Sequence, residues 1–313
     1  MNYMTSPDSK AIQAHGLTKN FGRKQALAGL SFSVPNGSVA GFLGPNGAGK
    51  TTTLRLILGL AYSDSGDMEM LGLSMPRERR QVLEQTGALV EHPSFIDGFS
   101  GFDNLYWFGS LFRPTSTERI NEFLQLVGLS DSANRNFGVY STGMKQRLGV
   151  GAAILHRPSL LILDEPTNGM DPQGRAQMRD VLKEIHSKEN TTIFLSSHLI
   201  DEIQRLCDYV VIVDKGRTVK EGRVADILMD EKEAWEIRVT GQSLGDVKEA
   251  LSGLPQVLSS EIGPRGLVVV LKPDSSVEIN RFLVGKGFSI SALIPREASL
   301  EETFLAVTKS NGN

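Results

Sequence analysis

The sequence predicts an α/β fold on a mostly parallel sheet, followed by a smaller α+β domain. Three observations carry this. Apolar runs of strand length alternate with helical segments through the first two-thirds of the chain, the order that βαβ units impose. One of these strands, "SVAGFLG" (Ser38–Gly44), runs into a glycine-rich loop and then the helix "KTTTLRLILGL", an arrangement that sets a ligand site at the carboxyl end of a strand. Beyond the charged stretch "MDEKEA" (Met229–Ala234) the order becomes strand, helix, strand, strand, helix, strand, helix, which describes a split βαβ domain.

The elements follow in order. "MNYMTSPDSK" (residues 1–10) is polar and short of apolar residues, so it reads as a disordered lead-in and not a signal peptide. Strand-like runs follow, with apolar and polar positions alternating around Leu30 to Val34 and a turn at Pro35, Asn36 and Gly37. Residues 95–155 are mostly helical by periodicity. "SLLILDE" (Ser159–Glu165) is a continuous apolar run ending in two acids, followed by a helix near 173–188, the strand "TTIFLSS" and a helix near 199–206. "YVVIVDKGRTVKEG" (Tyr209–Gly222) is a hairpin. These elements make a first domain over residues 11–230. A second, over 235–309, holds strands at 235–240 and 267–272 and helices at 244–254, 277–285 and 300–307.

Composition narrows the function classes. The net charge of −3 comes with no strongly basic block, so nucleic acid is not the expected partner. Cys207 is the only cysteine, which rules out an intrachain disulfide, suits a reducing compartment and gives no sign of a zinc site. No apolar run reaches the roughly 18 residues that a membrane span needs. If the protein serves a membrane process, another chain supplies the membrane part.

The chemistry concentrates in two motifs. "GPNGAGKTT" (Gly44–Thr52) matches G-x-x-x-x-G-K-[ST] and lies between a strand and a helix. Gly44, Gly47 and Gly49 let the backbone curl so that N–H groups point at phosphate oxygens. Lys50 brings a positive charge to the β- and γ-phosphates, and Thr51 offers a hydroxyl to Mg²⁺. The whole loop, with Pro45, Asn46, Ala48 and Thr52, is assigned to nucleotide. In "LLILDEPTNGMDP" (Leu160–Pro172), Asp164 can hold Mg²⁺ through water and Glu165 can accept a proton from an attacking water. Alone, two acids ending a strand would be a solvated edge; the phosphate loop reverses that weighting. His198, in "FLSSHLIDE", ends the next strand on the same side of the sheet, which raises it above the usual structural histidine. The start of the segment "YSTGMKQRLGVGAAIL" (Tyr140–Leu155) is a further helix N-terminus suited to an anion.

Phosphate loop, "YSTGMKQR", "LLILDEPTNGMD" and "SSH", in this order, resemble the nucleotide-binding subunit of an ABC transporter over roughly residues 11–230. The resemblance implies a P-loop NTPase cassette with a RecA-like core, an antiparallel β subdomain and an α-helical subdomain. It implies that two copies pack head to tail around two ATP molecules, so that Ser141 and the Gly143 amide face the γ-phosphate held by the other copy's loop. It further implies that Glu165, His198 and Lys50 are catalytic, that Thr51, Glu91 and Asp164 serve Mg²⁺, that Phe21 stacks on adenine and that Asp171 couples the two sites. A core strand residue is the plain alternative for Phe21, and a helix cap for Asp171. The subunit would sit on the cytoplasmic face of the membrane as a peripheral protein, held by a separate multi-span subunit docked near residues 91–112.

Departures from the family's pattern accompany the match. Thr142 and Met144 replace a glycine and a glutamine of the signature, which restricts the backbone and removes amide donors and acceptors. Such forms resemble the drug- and peptide-exporting branch, as does the ending "ALIPREASLEETFLAVT" (Ala292–Thr308). Glu91, in "GALVEHPSF", stands where most members have glutamine. Two unit charges about 6 Å apart at an effective dielectric of 20 repel by roughly 3 kcal/mol, so its carboxylate should stay by the metal or swing away from the phosphates. Aromatics follow in "PSFIDGFSGFDNLYWFGSLF"; most suit a core, and Phe95, Phe99 and Phe102 are candidates for exposed anchors of the membrane subunit. The function implied is ATP hydrolysis driving export of a drug, peptide or lipid-like molecule. The alternatives are a soluble ABC-type ATPase acting on ribosomes or DNA, and a non-catalytic module regulated by ATP occupancy.

Overall fold

Residues 9–111, 114–229, 234–296, 300–301 and 303–304 are described by the structure, a computed structural model. The lead-in through residue 8, the boundary stretch 230–233 and the end of the last expected helix lie outside the described residues. The chain divides into two compact units, the first ending at Val224 and the second beginning at Ala225.

In the first unit, β1 (Lys10–Phe21) and β2 (Lys24–Pro35) form an antiparallel ribbon. Lys10, placed by sequence in the lead-in, is already strand. The alternation read at Leu30–Val34 is realised, with Leu30, Phe32 and Val34 buried. Where short runs are expected, two long strands appear, because register shifts along the ribbon absorb the irregular positions without ending the ladder. β3 (Val39–Leu43) is buried throughout and leads through the loop into α1 (Lys50–Ile57). β4 (Ser65–Met70) and β5 (Leu73–Met75) return to the ribbon, giving a four-stranded antiparallel sheet in the order β2-β1-β4-β5.

After α2 (Arg79–Leu83) and the four-residue β6 (Thr86–Leu89) come three helices, α3 (Gly101–Ser110), α4 (Thr117–Leu126) and α5 (Thr142–Ala153). They pack on one another, and Leu105, Ile120, Phe123, Leu124 and Leu148 on them are buried. Alternation then resumes with β7 (Leu160–Asp164), α6 (Pro172–Glu189), β8 (Thr192–Ser197), α7 (Ile200–Leu206) and the hairpin β9 (Tyr209–Asp214) and β10 (Arg217–Arg223). The second sheet runs β10-β9-β3-β8-β7-β6 and is parallel except for β10. Phe32 of β2 meets Phe42 of β3 and Phe194 of β8 with ring centroids 5.3 and 5.8 Å away, and Phe42 and Phe194 are 5.4 Å apart. This aromatic trio joins the two sheets. Buried on both faces, β3, β7 and β8 read as continuous apolar runs, as central parallel strands must.

α8 (Val224–Met229) carries the division between units. In the second unit β11 (Ala234–Val239), β12 (Val257–Ile262), β13 (Leu267–Leu271) and β14 (Ile290–Arg296) form an antiparallel sheet in the order β12-β13-β11-β14. α9 (Leu244–Leu251) and α10 (Ser276–Gly285) supply Val247, Leu251, Ile279 and Leu283 to a core with Ile237, Leu267, Val269 and Leu271. Among the described residues, no helix is long and apolar enough to cross a membrane.

Candidate active site

The phosphate loop leaves β3 at the carboxyl end of the parallel sheet. Its path depends on close approaches. A Cβ on Gly44 would lie 2.5 Å from the Val213 carbonyl oxygen. Gly49, with φ +102°, precedes α1 in a conformation that L side chains rarely adopt, and a Cβ there would lie 2.8 Å from the Ala26 carbonyl. Lys50 is 6% exposed, and its Nζ donates to the carbonyls of Gly44 (2.8 Å) and Pro45 (3.4 Å). The ammonium therefore lies folded over the loop it belongs to.

β8 lies between β3 and β7, so the ends of three adjacent strands present the loop, His198 and the acid pair side by side. Lys50 Nζ is 3.3 Å from Glu165 Oε1, and His198 Nδ1 hydrogen-bonds to Glu165 Oε2. A carboxylate only accepts, so the imidazole donates here. Glu165 has φ +48°, a left-handed backbone that costs a residue with a Cβ roughly 1–2 kcal/mol. Its N–H is held by both the hydroxyl (3.0 Å) and the carbonyl (3.2 Å) of Ser196. The Ser196 hydroxyl in turn donates to Asp164 Oδ1. Asp164 is 8% exposed. Thr167, two residues past Glu165, hydrogen-bonds to the buried carboxylate of Glu202 on α7, which ties the loop after β7 to the element after His198.

Two adjoining clefts run across these groups. The smaller, about 240 Å³, is lined by Phe21, Lys24, Asn46, Lys50, Thr51 and Glu165 among others. The larger, about 590 Å³, is lined by Thr51, Glu91, Gln146, Asp164, Glu165 and His198 among others. Asn46, Thr51 and Glu165 belong to both. One continuous site thus extends from an aromatic ring, over the phosphate loop, to the acids and the histidine.

The remaining residues singled out from sequence fall at different distances from this centre. Phe21 is 51% exposed, with Lys19 Nζ 5.5 Å from its ring centroid, so the core alternative for it is excluded. Glu91 lines the larger cleft, and its carboxylate pairs with Arg55 of α1. Ser141 caps α5, its hydroxyl accepting from the Met144 N–H at 3.3 Å, and neither Ser141 nor Gly143 lines either cleft. Asp171 caps α6, accepting from the Gly174 N–H at 3.0 Å. The expectation of exposed rings at Phe95, Phe99 and Phe102 is corrected. All three are half-buried, and Phe95 meets Phe108 and Phe137 edge-on at 6.1 and 5.2 Å. Among the described residues, the apolar side chains left exposed there are Ile96, Tyr106, Trp107 and Leu111, with Val139 from the turn before α5; Phe112 lies outside the described residues. Sequence reading passed over Arg55, Gln146 and Ser196; only Ser196 carried a signal, as a polar residue inside the buried run that ends in His198.

A phosphate loop at the end of a parallel strand, faced by an acid pair and a histidine from the neighbouring strand ends, defines a nucleotide-hydrolysing P-loop protein. Comparison with known proteins narrows the class. Residues 27–168 match the family described as ABC transporter. The chain is 37% identical over 301 residues, covering 96% of each protein, to YdbJ of Bacillus subtilis (strain 168), an uncharacterized ABC transporter ATP-binding protein. It is 34% identical over 301 residues to the bacitracin transport ATP-binding protein BcrA of Bacillus licheniformis, covering 95% of this chain and 97% of that one. A solved structure of the ATP-binding subunit of an ABC transporter superposes with a TM-score of 0.62 at 26% identity, covering 70% of this chain and 92% of that one. The chain belongs to the ABC transporter ATP-binding proteins and is an ABC-type, nucleotide-binding ATPase.

Proposed function

We propose that this protein powers export of a drug, peptide or lipid-like molecule by hydrolysing ATP between two copies of itself. The observation that carries the reading is the occupation of Glu165. Its two carboxylate oxygens are held by Lys50 and His198, the same donors that a γ-phosphate at the end of the loop would claim. Arrival of ATP therefore competes for both partners and frees the carboxylate to orient and deprotonate a water. Lys50 then balances the charge that develops on the transferred phosphoryl group, and His198 contacts its oxygens. Phe21, exposed at the far end of the smaller cleft, offers its ring to the adenine.

The donor set suits Mg²⁺. The Thr51 hydroxyl and the Asp164 and Glu91 carboxylates are all hard oxygen ligands around one cleft. Among the described residues there is no group of three or more His, Cys, Asp or Glu able to hold a metal unaided. That fits an ion which keeps several waters and shares its shell with nucleotide phosphates. Bound there, Mg²⁺ would offset phosphate charge; Thr51, Asp164 and Glu91 would hold it, with Arg55 offsetting the extra charge of Glu91.

The second copy follows from what the first lacks. Neither Ser141 nor Gly143 lines the clefts of its own chain, yet Ser141 stands exposed at the start of α5, where free N–H groups and the helix dipole favour an anion. A two-fold head-to-tail pair sets each such end against the other copy's phosphate, and each Asp171 near the shared boundary. A separate membrane subunit docks near residues 91–112 and holds the protein at the cytoplasmic face. The transport role named for the bacitracin relative supports export over action on ribosomes or DNA.

Glu165→Gln tests the reading. With Mg²⁺ and ATP the purified variant should accumulate as a nucleotide-bound dimer in light scattering, while turnover falls by roughly a hundredfold or more, the usual weight of a general base. Hydrolysis at the parent rate would overturn the assignment.

A further inference from the structure

We infer that Ser196 is a positioning residue that sets the geometry of Asp164 and Glu165 through one shared hydroxyl; the inference rests on the roles given to those two acids above. Ser196 is fully buried at the end of β8 and stands directly beside Asp164 in the parallel ladder. Its Oγ donates to Asp164 Oδ1 and accepts the Glu165 N–H at 3.0 Å. A hydroxyl has one proton, so these two bonds fix its orientation: the proton faces the carboxylate and a lone pair faces the amide.

Two consequences follow for the acids. With Oδ1 of Asp164 engaged by Ser196, Oδ2 would be the oxygen offered to a metal in the cleft that Asp164 lines, a single oriented ligand. The backbone of Glu165, left-handed at φ +48°, is held through its N–H by the hydroxyl of Ser196 at 3.0 Å together with that residue's carbonyl at 3.2 Å, both on the neighbouring strand. The same hydroxyl therefore couples the direction of the metal-holding carboxylate to the direction of the base. Its neighbour Ser197 provides the contrast. It too is buried, but its hydroxyl accepts the Leu199 N–H at 2.9 Å, a local turn that touches neither acid. A buried serine needing only a partner for itself could have done the same.

The test uses the full-length protein with Mn²⁺ and a slowly cleaved ATP analogue, followed by electron paramagnetic resonance, and in parallel the steady-state ATPase. Ser196→Ala removes the hydroxyl, and Ser196→Cys keeps its volume without a strong donor. Both should weaken Mn²⁺ binding by about tenfold to a hundredfold, the usual cost of losing a partner that orients a metal ligand. Both should also lower kcat while leaving the KM for ATP near the parent value, because the phosphate loop is untouched. Parent-like Mn²⁺ binding by Ser196→Cys would show that the side chain only fills space and would overturn the inference. Asp164→Asn, run alongside, separates the two levels. If it abolishes Mn²⁺ binding while both Ser196 variants bind normally, the positioning role alone is wrong. If it too binds Mn²⁺ as the parent does, the reading of Asp164 falls and this inference with it.

Discussion

Glu91 illustrates how single residues in this site are set by charge. Repulsion from phosphates would keep its carboxylate by the metal or turn it away, and in the structure it pairs with Arg55. Both side chains are well exposed, so the pair adds little to stability; its weight lies in neutralising a third carboxylate beside Asp164 and Glu165. Glu91→Gln should therefore keep ATPase activity within about tenfold of the parent, since the amide still offers an oxygen to the metal and no longer needs Arg55. Arg55→Ala should instead raise the KM for ATP several-fold, because the unneutralised carboxylate then faces the phosphates, and adding Glu91→Gln to it should restore the parent value. Steady-state kinetics of the three variants decide the matter; equal KM values in parent and Arg55→Ala would show that the pair is incidental. Lys50, Thr51, Asp164 and Glu165 were legible in the sequence because two short motifs carry them, and His198 because it ends the next strand on the same side of the sheet. Arg55 and Ser196 were not, because their partners lie 36 and 31–32 residues away and are brought to them by strand order alone.

Elements were legible where one physical signal dominated. β3, β7 and β8 are buried on both faces and stand out as apolar runs. β4, mostly exposed and polar, and β6, four residues long, carry no such pattern. They exist because the ribbon and β7 offer them a free edge to pair with. α6 starts where chemistry says it should: Asp171 accepts the Gly174 N–H and Pro172 takes the first turn. That capping bond makes the expected coupling role separable by mutation. Asp171→Ala should cost about 1 kcal/mol, a fall of a few degrees in Tm for a unit of this size. Asp171→Ser keeps a capping oxygen and should restore the melting temperature. If Asp171 also acts across a dimer, the serine variant will melt like the parent yet show weakened ATP-dependent dimerisation in light scattering. Parent-like dimerisation would leave Asp171 a cap and nothing more.

At the scale of the whole molecule, no described helix is long and apolar enough to cross a membrane, and the proposed export would couple ATP chemistry to a membrane subunit through a docking surface. The segment after Glu91 is the surface proposed for that contact. Asn104, buried on α3, accepts the Ile96 N–H at 2.9 Å and donates to the carbonyls of Ile96, Phe99 and Ser100 at 3.0–3.3 Å, which fastens the loop after Glu91 to α3. Half-buried Phe95 wedges between Phe108 and Phe137 and links the same loop to the turn before α5. Motion begun at Glu91 would thus be carried by α3 as a unit. On the outside of that unit Trp107 is 57% and Leu111 77% exposed, apolar area with the anchor chemistry that partner surfaces use. Trp107→Glu combined with Leu111→Glu should therefore abolish co-purification of the proposed membrane subunit. ATP binding and basal hydrolysis by the isolated subunit should stay within about twofold, and stability nearly unchanged, because exposed positions away from caps and cores seldom cost more than 0.5 kcal/mol. Affinity purification from membranes, with ATP binding measured on the same preparations, reads both halves of the expectation. Parent-level recovery of the membrane protein with the double variant would move the docking surface elsewhere on the cassette, and loss of ATP binding together with the partner would show that α3 supports the site itself.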